Sequence, residues 1–203
     1  MSETKTPEDP RTSLLRSLAR QQRGTRSALD WLQAVLWRIP GRPVDVNKLL
    51  LLRFEGTPCP SDRLLRGAAI ARAGVPSDVH GMSRCEGKSI ETFLRRFRAG
   101  DFCVVAELDG KIIGYAWFSV AAVYADSYFG FKCAVPDDAV FGYDGFVVPE
   151  HRLTGAWLKF QRFLGCQMKL LGKTAVLTAI EHSNRLSLAT HLRFGFEPYA
   201  SVL

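Results

Sequence analysis

The sequence predicts a mixed α/β fold, in which strands and helices follow one another without the strict alternation of βαβ units. Three observations predict it: two β-rich runs joined by Asp109-Gly110, helical spacing of apolar residues over 155–171, and short strand-like runs on both sides of that helix. The chain has 203 residues, of which 47% are hydrophobic and 23% charged. This composition is typical of one globular domain with an appendage, and it excludes collagen-like, disulfide-scaffold and wholly disordered classes.

Residues 1–43 are predicted to form a basic amphipathic helical extension, and residues 44–203 the folded domain. Leucines recur at three- and four-residue spacing between arginines, and a Pro-Gly-Arg-Pro stretch at 40–43 marks the boundary. Three roles stay open for residues 11–42: packing on their own domain, lying on an anionic membrane surface, or binding an acidic protein. Nucleic-acid binding is disfavoured, because few aromatic residues accompany the arginines.

Within the folded domain, apolar periodicity and the Gly, Pro and N-cap signals define the elements. Ser89 and Asn184 are residue types that cap helices, and Asp109-Gly110 favours the two-residue turn of a hairpin. Residues 124–140 have mixed, aromatic character. The predicted strands are 44–54, 102–108, 111–123, 140–148, 173–180 and 196–203, and the predicted helices are 63–73, 89–98, 155–171 and 185–192.

Cysteine spacing and hydropathy bear on the cellular setting. The five cysteines form no C-x-x-C pair, so we predict reduced structural thiols and no metal site. No apolar run approaches the roughly 20 residues of a membrane-spanning helix. The first ten residues are polar and acidic, unlike a secretory signal, so we predict a cytoplasmic protein.

The join after the strand at 140–148 carries the clearest chemical signal. Pro149 lacks an N–H and weakens strand pairing, so the backbone of Val147 and Val148 is expected to be free to bond a ligand. A cation, a hydroxyl and a glycine then precede a helix, whose exposed N–H groups and positive dipole end favour phosphate. The net charge is +7, and residues 151–180 contain no acid. The predicted anion-binding residues are Arg152, Thr154, Gly155 and Ala156.

Two motifs, Val-Val-Pro-Glu-His-Arg-Leu-Thr-Gly at 147–155 and Asn-Arg-Leu-Ser at 184–187 followed by Gly195-Phe196, resemble those of the GCN5-related N-acetyltransferase (GNAT) family. The resemblance covers about residues 44–203. It implies a mostly antiparallel central sheet flanked by helices, with the helical extension before it, and an acyltransferase that uses acetyl-CoA. The pyrophosphate would lie on the arginine-to-glycine loop, and the pantetheine would pair with the strand of Val147 and Val148.

The same resemblance gives Asn184 a cofactor contact besides its capping role. It also implies one more strand after residues 196–203, for which the sequence leaves no residues. We therefore expect a shortened chain or a sheet edge that pairs with a second copy in a homodimer.

Two positions depart from the family pattern. The family loop Q/R-x-x-G-x-G/A is matched by Arg152 and Gly155, but its last small residue is Trp157. The favoured interpretation turns this indole into the core beside Phe160 and leaves the backbone accessible, and the alternative is a reshaped loop. His191 stands where the family often has a tyrosine that protonates the departing thiolate.

An amine must lose a proton before it attacks a thioester, so a base is sought near the same strand. Asp144 lies five residues before Pro149, where the family often places a glutamate, and it is the candidate base, with a solvated or ion-paired acid as the alternative. His191 is the candidate acid, with space filling as the alternative. Tyr143 and Asp144 can line one cleft only if the strand carries a bulge.

The leading hypothesis is therefore direct transfer of an acetyl group from acetyl-CoA to an amine of a small-molecule or peptide acceptor. Two other hypotheses stay open. One is a CoA-binding regulatory module without turnover, and the other is an N-acyltransferase that takes a longer acyl chain from CoA or from an acyl-carrier protein recruited by the basic helix.

Overall fold

The computed structural model describes residues 49–56, 68–126, 128–152 and 155–202. The predicted helical extension lies outside these residues, as do the start of the first predicted strand, the first five residues of the predicted helix at 63–73, and Thr154. The strands are β1 (Leu49–Glu55), β2 (Ile70–Ala73), β3 (Phe102–Leu108), β4 (Lys111–Ser119), β5 (Val123–Asp126), β6 (Phe131–Ala134), β7 (Ala139–Val147), β8 (Ala175–Glu181) and β9 (Glu197–Val202). The helices are α1 (Val79–Glu86), α2 (Ile90–Arg98), α3 (Ala156–Leu170) and α4 (Arg185–Arg193), and short 3-10 turns cover Pro76–Asp78 and Pro149–His151.

A seven-stranded sheet in the order β2-β3-β4-β7-β8-β1-β9 forms the centre of the domain. All its pairs are antiparallel except β7 with β8, which run parallel. The predicted mixed, mostly antiparallel sheet is confirmed. The strand β1 lies between β8 and β9 and is antiparallel to both. The place beside β9 on the side of β8 is therefore occupied by a strand of the same chain.

Several local predictions are confirmed in detail. Asp109 and Gly110 have φ values of 50° and 73°, the left-handed conformations that a type I′ turn requires, and they join β3 to β4. The hydroxyl of Ser89 accepts a bond from Thr92 N at 3.2 Å at the start of α2. The amide oxygen of Asn184 accepts one from Ser187 N at 3.2 Å at the start of α4.

Other predictions are wrong. The end of the helix predicted at 63–73 is the strand β2, which pairs with β3 from Ile70 opposite Glu107 to Ala73 opposite Val104. Its alanines and arginine have no strong strand preference, so the pairing with β3 decides the conformation. The sequence patterns did not predict α1. They also did not predict the β5–β6 hairpin, because residues 124–140 have mixed character.

Alternating strand residues form a core on each face of the sheet. On one face, Val104 and Phe118 pack with Phe160 of α3 and Leu188 of α4. The opposite face is covered in two parts, by α1 and α2 over residues such as Trp117, and by the β5–β6 hairpin over the end that includes β1 and β8. Ligand access between the helices therefore depends on openings in the sheet itself.

Candidate functional site

A cleft opens where the two parallel strands separate. The register of β7 with β8 runs from Ala139 opposite Ala175 to Gly142 opposite Thr178 and ends there. Beyond this point β7 stays paired with β4, and β8 stays paired with β1. The gap leads into a cavity of about 240 Å³. The cleft thus interrupts the sheet at its centre.

The walls of this cavity come from both faces of the sheet. Trp117, Tyr143 and Asp144 line it on the side of α1 and α2, together with Phe129 after β5. On the other side it is lined by residues of α3, of α4 and its N-cap, and by the residue before β9, namely Trp157, Gln161, Leu164, Asn184, Ser187, His191 and Phe196. Two ligands can therefore approach the same gap from opposite faces.

A β-bulge in β7 places Asp144 in the cavity. The register with β4 shifts between Tyr115, which faces Phe146, and Trp117, which faces Tyr143. Asp144 sits in the extra position with φ 47°, a left-handed conformation that costs of the order of 1–3 kcal/mol in a non-glycine residue. Because of the bulge, Tyr143 and Asp144 both line the cleft. This agrees with the sequence analysis, in which the two side chains can share a cleft only if the strand carries a bulge.

Asp144 is held between two cations. Its Oδ1 contacts Nζ of Lys88 and its Oδ2 contacts Nη1 of Arg96. Its side chain is only 16% exposed. Lys88 also lies 3.0 Å from Oε2 of Glu86. The candidate base is therefore ion-paired through both oxygens.

Arg96 is fixed by aromatic rings as well as by the carboxylate. Its guanidinium carbon lies 5.1 to 5.7 Å from the ring centroids of Phe93, Trp117 and Tyr143. The sequence analysis missed both Lys88 and Arg96. The available signal was the place of Arg96 on α2, between Phe93 and Phe97 on the buried side of the helix.

His191 lies on the opposite wall and is 8% exposed. Its Nδ1 is 2.8 Å from the carbonyl oxygen of Ser187, which can only accept, so Nδ1 carries the hydrogen. Burial lowers the pKa of this imidazole from its usual value, which keeps the ring neutral. In this tautomer Nε2 is an acceptor. The ring must take up a proton there before it can serve as the predicted acid.

Trp157 fills part of the cleft. Its indole packs edge-on against Phe160 at 5.8 Å and His191 at 5.4 Å between ring centroids. A Cβ placed on Gly145 would lie 2.9 Å from the same indole, so the ring rests directly on the backbone of β7. The prediction that it packs beside Phe160 is confirmed, but the ring also lines the cavity.

The predicted anion site forms the start of α3. Gly155 is its N-cap residue with φ 78° and makes no side-chain cap, and among the described residues no side chain caps the first amides. Ala156 is fully buried and Arg152 is exposed. Nε of Arg152 donates to the carbonyl oxygen of Val147 at 3.1 Å, which keeps the cation at the end of β7. Thr154 lies outside the described residues.

The expectation that Pro149 frees the neighbouring backbone needs correction. The N–H of Val148 donates to the carbonyl oxygen of Ile113 at 2.9 Å, and the carbonyl of Val147 accepts from Arg152. Pairing with β4 extends as far as the proline, because β4 continues beside β7 to Ile113. The part of β7 that faces the cleft is instead at residues 143–145, which line the cavity and lie beyond the last pair with β8.

Two indole N–H groups at this cavity lack a hydrogen-bond partner. Among the described residues, Nε1 of Trp117 and Nε1 of Trp157 are buried with no acceptor in reach. Leaving such a donor unpaired costs about 1–3 kcal/mol. Both residues line the cavity, while the two nitrogen atoms themselves are shielded from solvent.

Asn184 lies directly before α4, where its predicted capping role places it. Its side chain caps α4 and also lines the cavity.

Throughout the described part of the chain, no helix is long and apolar enough to cross a membrane.

Comparison with known proteins places the fold. No family model and no curated protein matches the sequence. Among solved structures, a tandem GNAT protein of the clavulanic acid pathway superposes with a TM-score of 0.55 at 17% identity, covering 78% of this chain and 52% of its own. The chain thus spans about half of that protein's length.

Two smaller acetyltransferase structures are similar as well. AAC(6')-Iy, in complex with the bisubstrate analogue CoA-S-monomethyl-acetylneamine, has a TM-score of 0.55 at 19% identity, covering 66% of this chain and 95% of its own. The aminoglycoside 6'-N-acetyltransferase AAC(6')-IG from Acinetobacter haemolyticus has a TM-score of 0.52 at 17% identity, covering 66% and 94%. The fold of this chain is that of the GCN5-related N-acetyltransferases.

Proposed function

We propose that this protein transfers an acetyl group from acetyl-CoA to an amine by direct attack. The single observation that carries the proposal is the gap between β7 and β8, which opens a cavity across the sheet. An elongated thioester entering on the α3–α4 side would present its carbonyl carbon to an acceptor on the α1–α2 side. That arrangement lets the two substrates meet without a covalent enzyme intermediate.

The start of α3 supports the choice of donor. Its first amides and the positive end of its dipole favour an anion, and Arg152 lies three residues before Gly155, at the end of β7. We assign the diphosphate of CoA to the backbone of residues 155–157, and we keep Thr154, the residue before Gly155 in the sequence, as a candidate contact. The pantetheine amides would then run along residues 143–147 of β7, and Asn184 would flank them.

The chemistry moves two protons from an amine that arrives as an ammonium. The ammonium first gives one proton to solvent, and the free amine attacks the thioester carbon. The nitrogen of the adduct then loses a second proton, the C–S bond breaks, and the sulfur leaves as a thiolate. Asp144 holds and orients the amine. His191, neutral with Nε2 unprotonated, takes up the released proton through water and returns it to the sulfur, which leaves the protein unchanged after each cycle.

A binding module without turnover is the second candidate, and a specific observation favours it. The indole of Trp157 occupies part of the gap and contacts His191, where the family pattern has a small residue and a tyrosine. An acyl-CoA bound around this indole would sit away from the acceptor side. The longer acyl chains considered from the sequence have no comparable observation in their favour.

The test separates these functions. We expect acetyl-CoA to raise the melting temperature and free thiol to appear with a panel of primary amines. Stabilisation without thiol release across the panel would support the binding module. Neither stabilisation nor thiol release would refute both.

A further inference from the structure

Two buried polar side chains that line the cavity have no hydrogen-bond partner among the described residues. They are Gln161 of α3, which is 5% exposed, and Thr178 of β8, which is 8% exposed. The indole nitrogens of Trp117 and Trp157 are shielded from solvent, whereas the polar atoms of Gln161 and Thr178 are accessible from the cavity. We call Gln161 and Thr178 the polar pair. Burying an amide and a hydroxyl has a cost unless a partner satisfies them, so the pair suits a ligand group that forms hydrogen bonds.

The polar pair lies toward the end of the cavity where the gap between β7 and β8 closes. Thr178 is opposite Gly142 in the last residue pair that joins the two strands. The helix α3 connects the end of β7 to the start of the parallel strand β8, so it runs back along β7. The indole of Trp157 rests on Gly145, and Gln161 follows one helical turn later, which brings it toward Gly142.

The acyl group of the donor is the part of the ligand that reaches the polar pair, and this step rests on the proposed function. There the diphosphate lies at the start of α3, and the pantetheine runs along β7 from residue 147 toward residue 143. The acyl group follows the pantetheine and therefore comes next to Gly142 and Thr178. The methyl end of an acetyl group forms no hydrogen bond, so it leaves the polar pair unsatisfied.

The charges around the cavity decide which substituent on the acyl group fits. Among the described residues that line it, the charged ones are Asp144 and Glu181, and both stand on the α1–α2 side of the sheet. A carboxylate on the acyl group would be repelled by these two acids. An ammonium at the polar pair would have no counter-charge on its own side of the sheet. A hydroxyl is neutral, and it can donate to and accept from both an amide and a hydroxyl.

We propose that Gln161 and Thr178 select an acyl donor whose acyl group carries a hydroxyl, with the glycolyl (hydroxyacetyl) thioester as the smallest such donor. The transfer step is the one described above. The amine nitrogen bonds to the carbonyl carbon, the C–S bond breaks, and the sulfur leaves as a thiolate. The hydroxyl of the acyl group takes no part in the reaction and serves recognition only.

The experiment is calorimetric titration of glycolyl-CoA and of propionyl-CoA into the full chain without any amine. The two esters have nearly the same size, since a hydroxyl in one replaces a methyl in the other. We expect glycolyl-CoA to bind about tenfold more tightly, because the methyl group would cover the polar pair without satisfying it. Any movement of Trp157 affects both esters equally, so the ratio of the two affinities reports on the polar pair.

Variants with apolar side chains of similar shape test the two residues. The double variant Gln161→Met/Thr178→Val is expected to bind propionyl-CoA at least as tightly as glycolyl-CoA. Thr178→Val alone should reduce the preference, and it serves as the second variant in case the double variant folds poorly. Gln167→Met is the matched control, because Gln167 also lies on α3 and does not line the cavity, so it should keep the parent's preference. Melting curves confirm that each variant is folded.

The inference is overturned if the parent binds the two esters equally or prefers propionyl-CoA. It is also overturned if the folded variants keep the parent's preference, since the hydroxyl would then be recognised by other groups. Failure of the proposed function has a different signature. A protein that prefers glycolyl-CoA and releases no thiol with amines would contradict the transfer and leave the inference standing, whereas a protein that binds neither ester would overturn both.

Discussion

Replacing Trp157 by alanine is expected to strengthen CoA binding while it weakens the fold. The indole packs on Phe160, His191 and the backbone of Gly145, and a buried tryptophan-to-alanine change costs about 3–5 kcal/mol. Removing its unpaired N–H returns about 1–3 kcal/mol. Taken at their midpoints, the two terms leave a net loss of about 2 kcal/mol. CoA must supply at most this free energy to move the ring, so the variant should bind up to about 30-fold more tightly.

Calorimetric titration of CoA and urea denaturation measure the two effects on the same preparations. Phe163→Ala is the matched control, because Phe163 is a half-buried aromatic residue of α3 that packs on the same core without lining the cavity. It should lose stability and keep the parent's affinity. If Trp157→Ala binds CoA as weakly as the parent or more weakly, the indole does not obstruct the donor, and the reasoning is refuted.

Three further predictions concern the anion site, His191 and the bulge. Gly155→Glu is expected to abolish CoA binding in calorimetry by setting a carboxylate at the start of α3, whereas Gly155→Ala, with the same strain at φ 78° and no charge, should still bind. His191→Phe should flatten the loss of stability between about pH 7 and pH 5 in denaturant titrations. Burial lowers the pKa of His191, so the unfolded chain gains a proton near pH 6.5 before the folded protein does, which costs at most about 1.4 kcal/mol per pH unit as the pH falls. Gly114→Ala should lower the free energy of unfolding by about 1–3 kcal/mol, measured by urea denaturation, because its Cβ would lie 2.6 Å from the backbone oxygen of Phe146 and 3.0 Å from Cα of Val147.

Each of these has a clear contrary result. Equal CoA affinities for the two Gly155 variants would remove the diphosphate from the start of α3. An unchanged pH slope in His191→Phe would mean that the imidazole is as easily protonated in the fold as in the unfolded chain. A Gly114→Ala protein as stable as the parent would mean that β4 and β7 can separate without penalty.

Local sequence signals predicted those parts of the fold that local interactions determine. The Asp109-Gly110 turn and the Ser89 and Asn184 caps depend on groups a few residues apart, and all three formed as expected. Strand β2 and the position of β1 depend on partners far along the chain. Ile70 pairs with Glu107 and Leu49 with both Glu181 and Val202, and no local pattern encodes those partners.

The residues of the candidate site also fall into two groups, those that local motifs predicted and those that depend on contacts between distant segments. Asp144, His191 and Trp157 were found because they lie at fixed distances from recognisable motifs, and all three line one cavity. Lys88 and Arg96 lie on a different segment and reach Asp144 only because of the bulge in β7. A bulge depends on tertiary packing. The sequence indicated only that Tyr143 and Asp144 can share a cleft if the strand carries a bulge. It could not predict which cations would contact Asp144.

The most direct test of the account is a crystal structure of the protein grown with CoA. We expect the diphosphate on the amides of residues 155–157, the pantetheine in the gap between β7 and β8, and the indole of Trp157 moved away from Gly145. A structure in which the indole still rests on Gly145, while CoA lies elsewhere or does not bind, would contradict it.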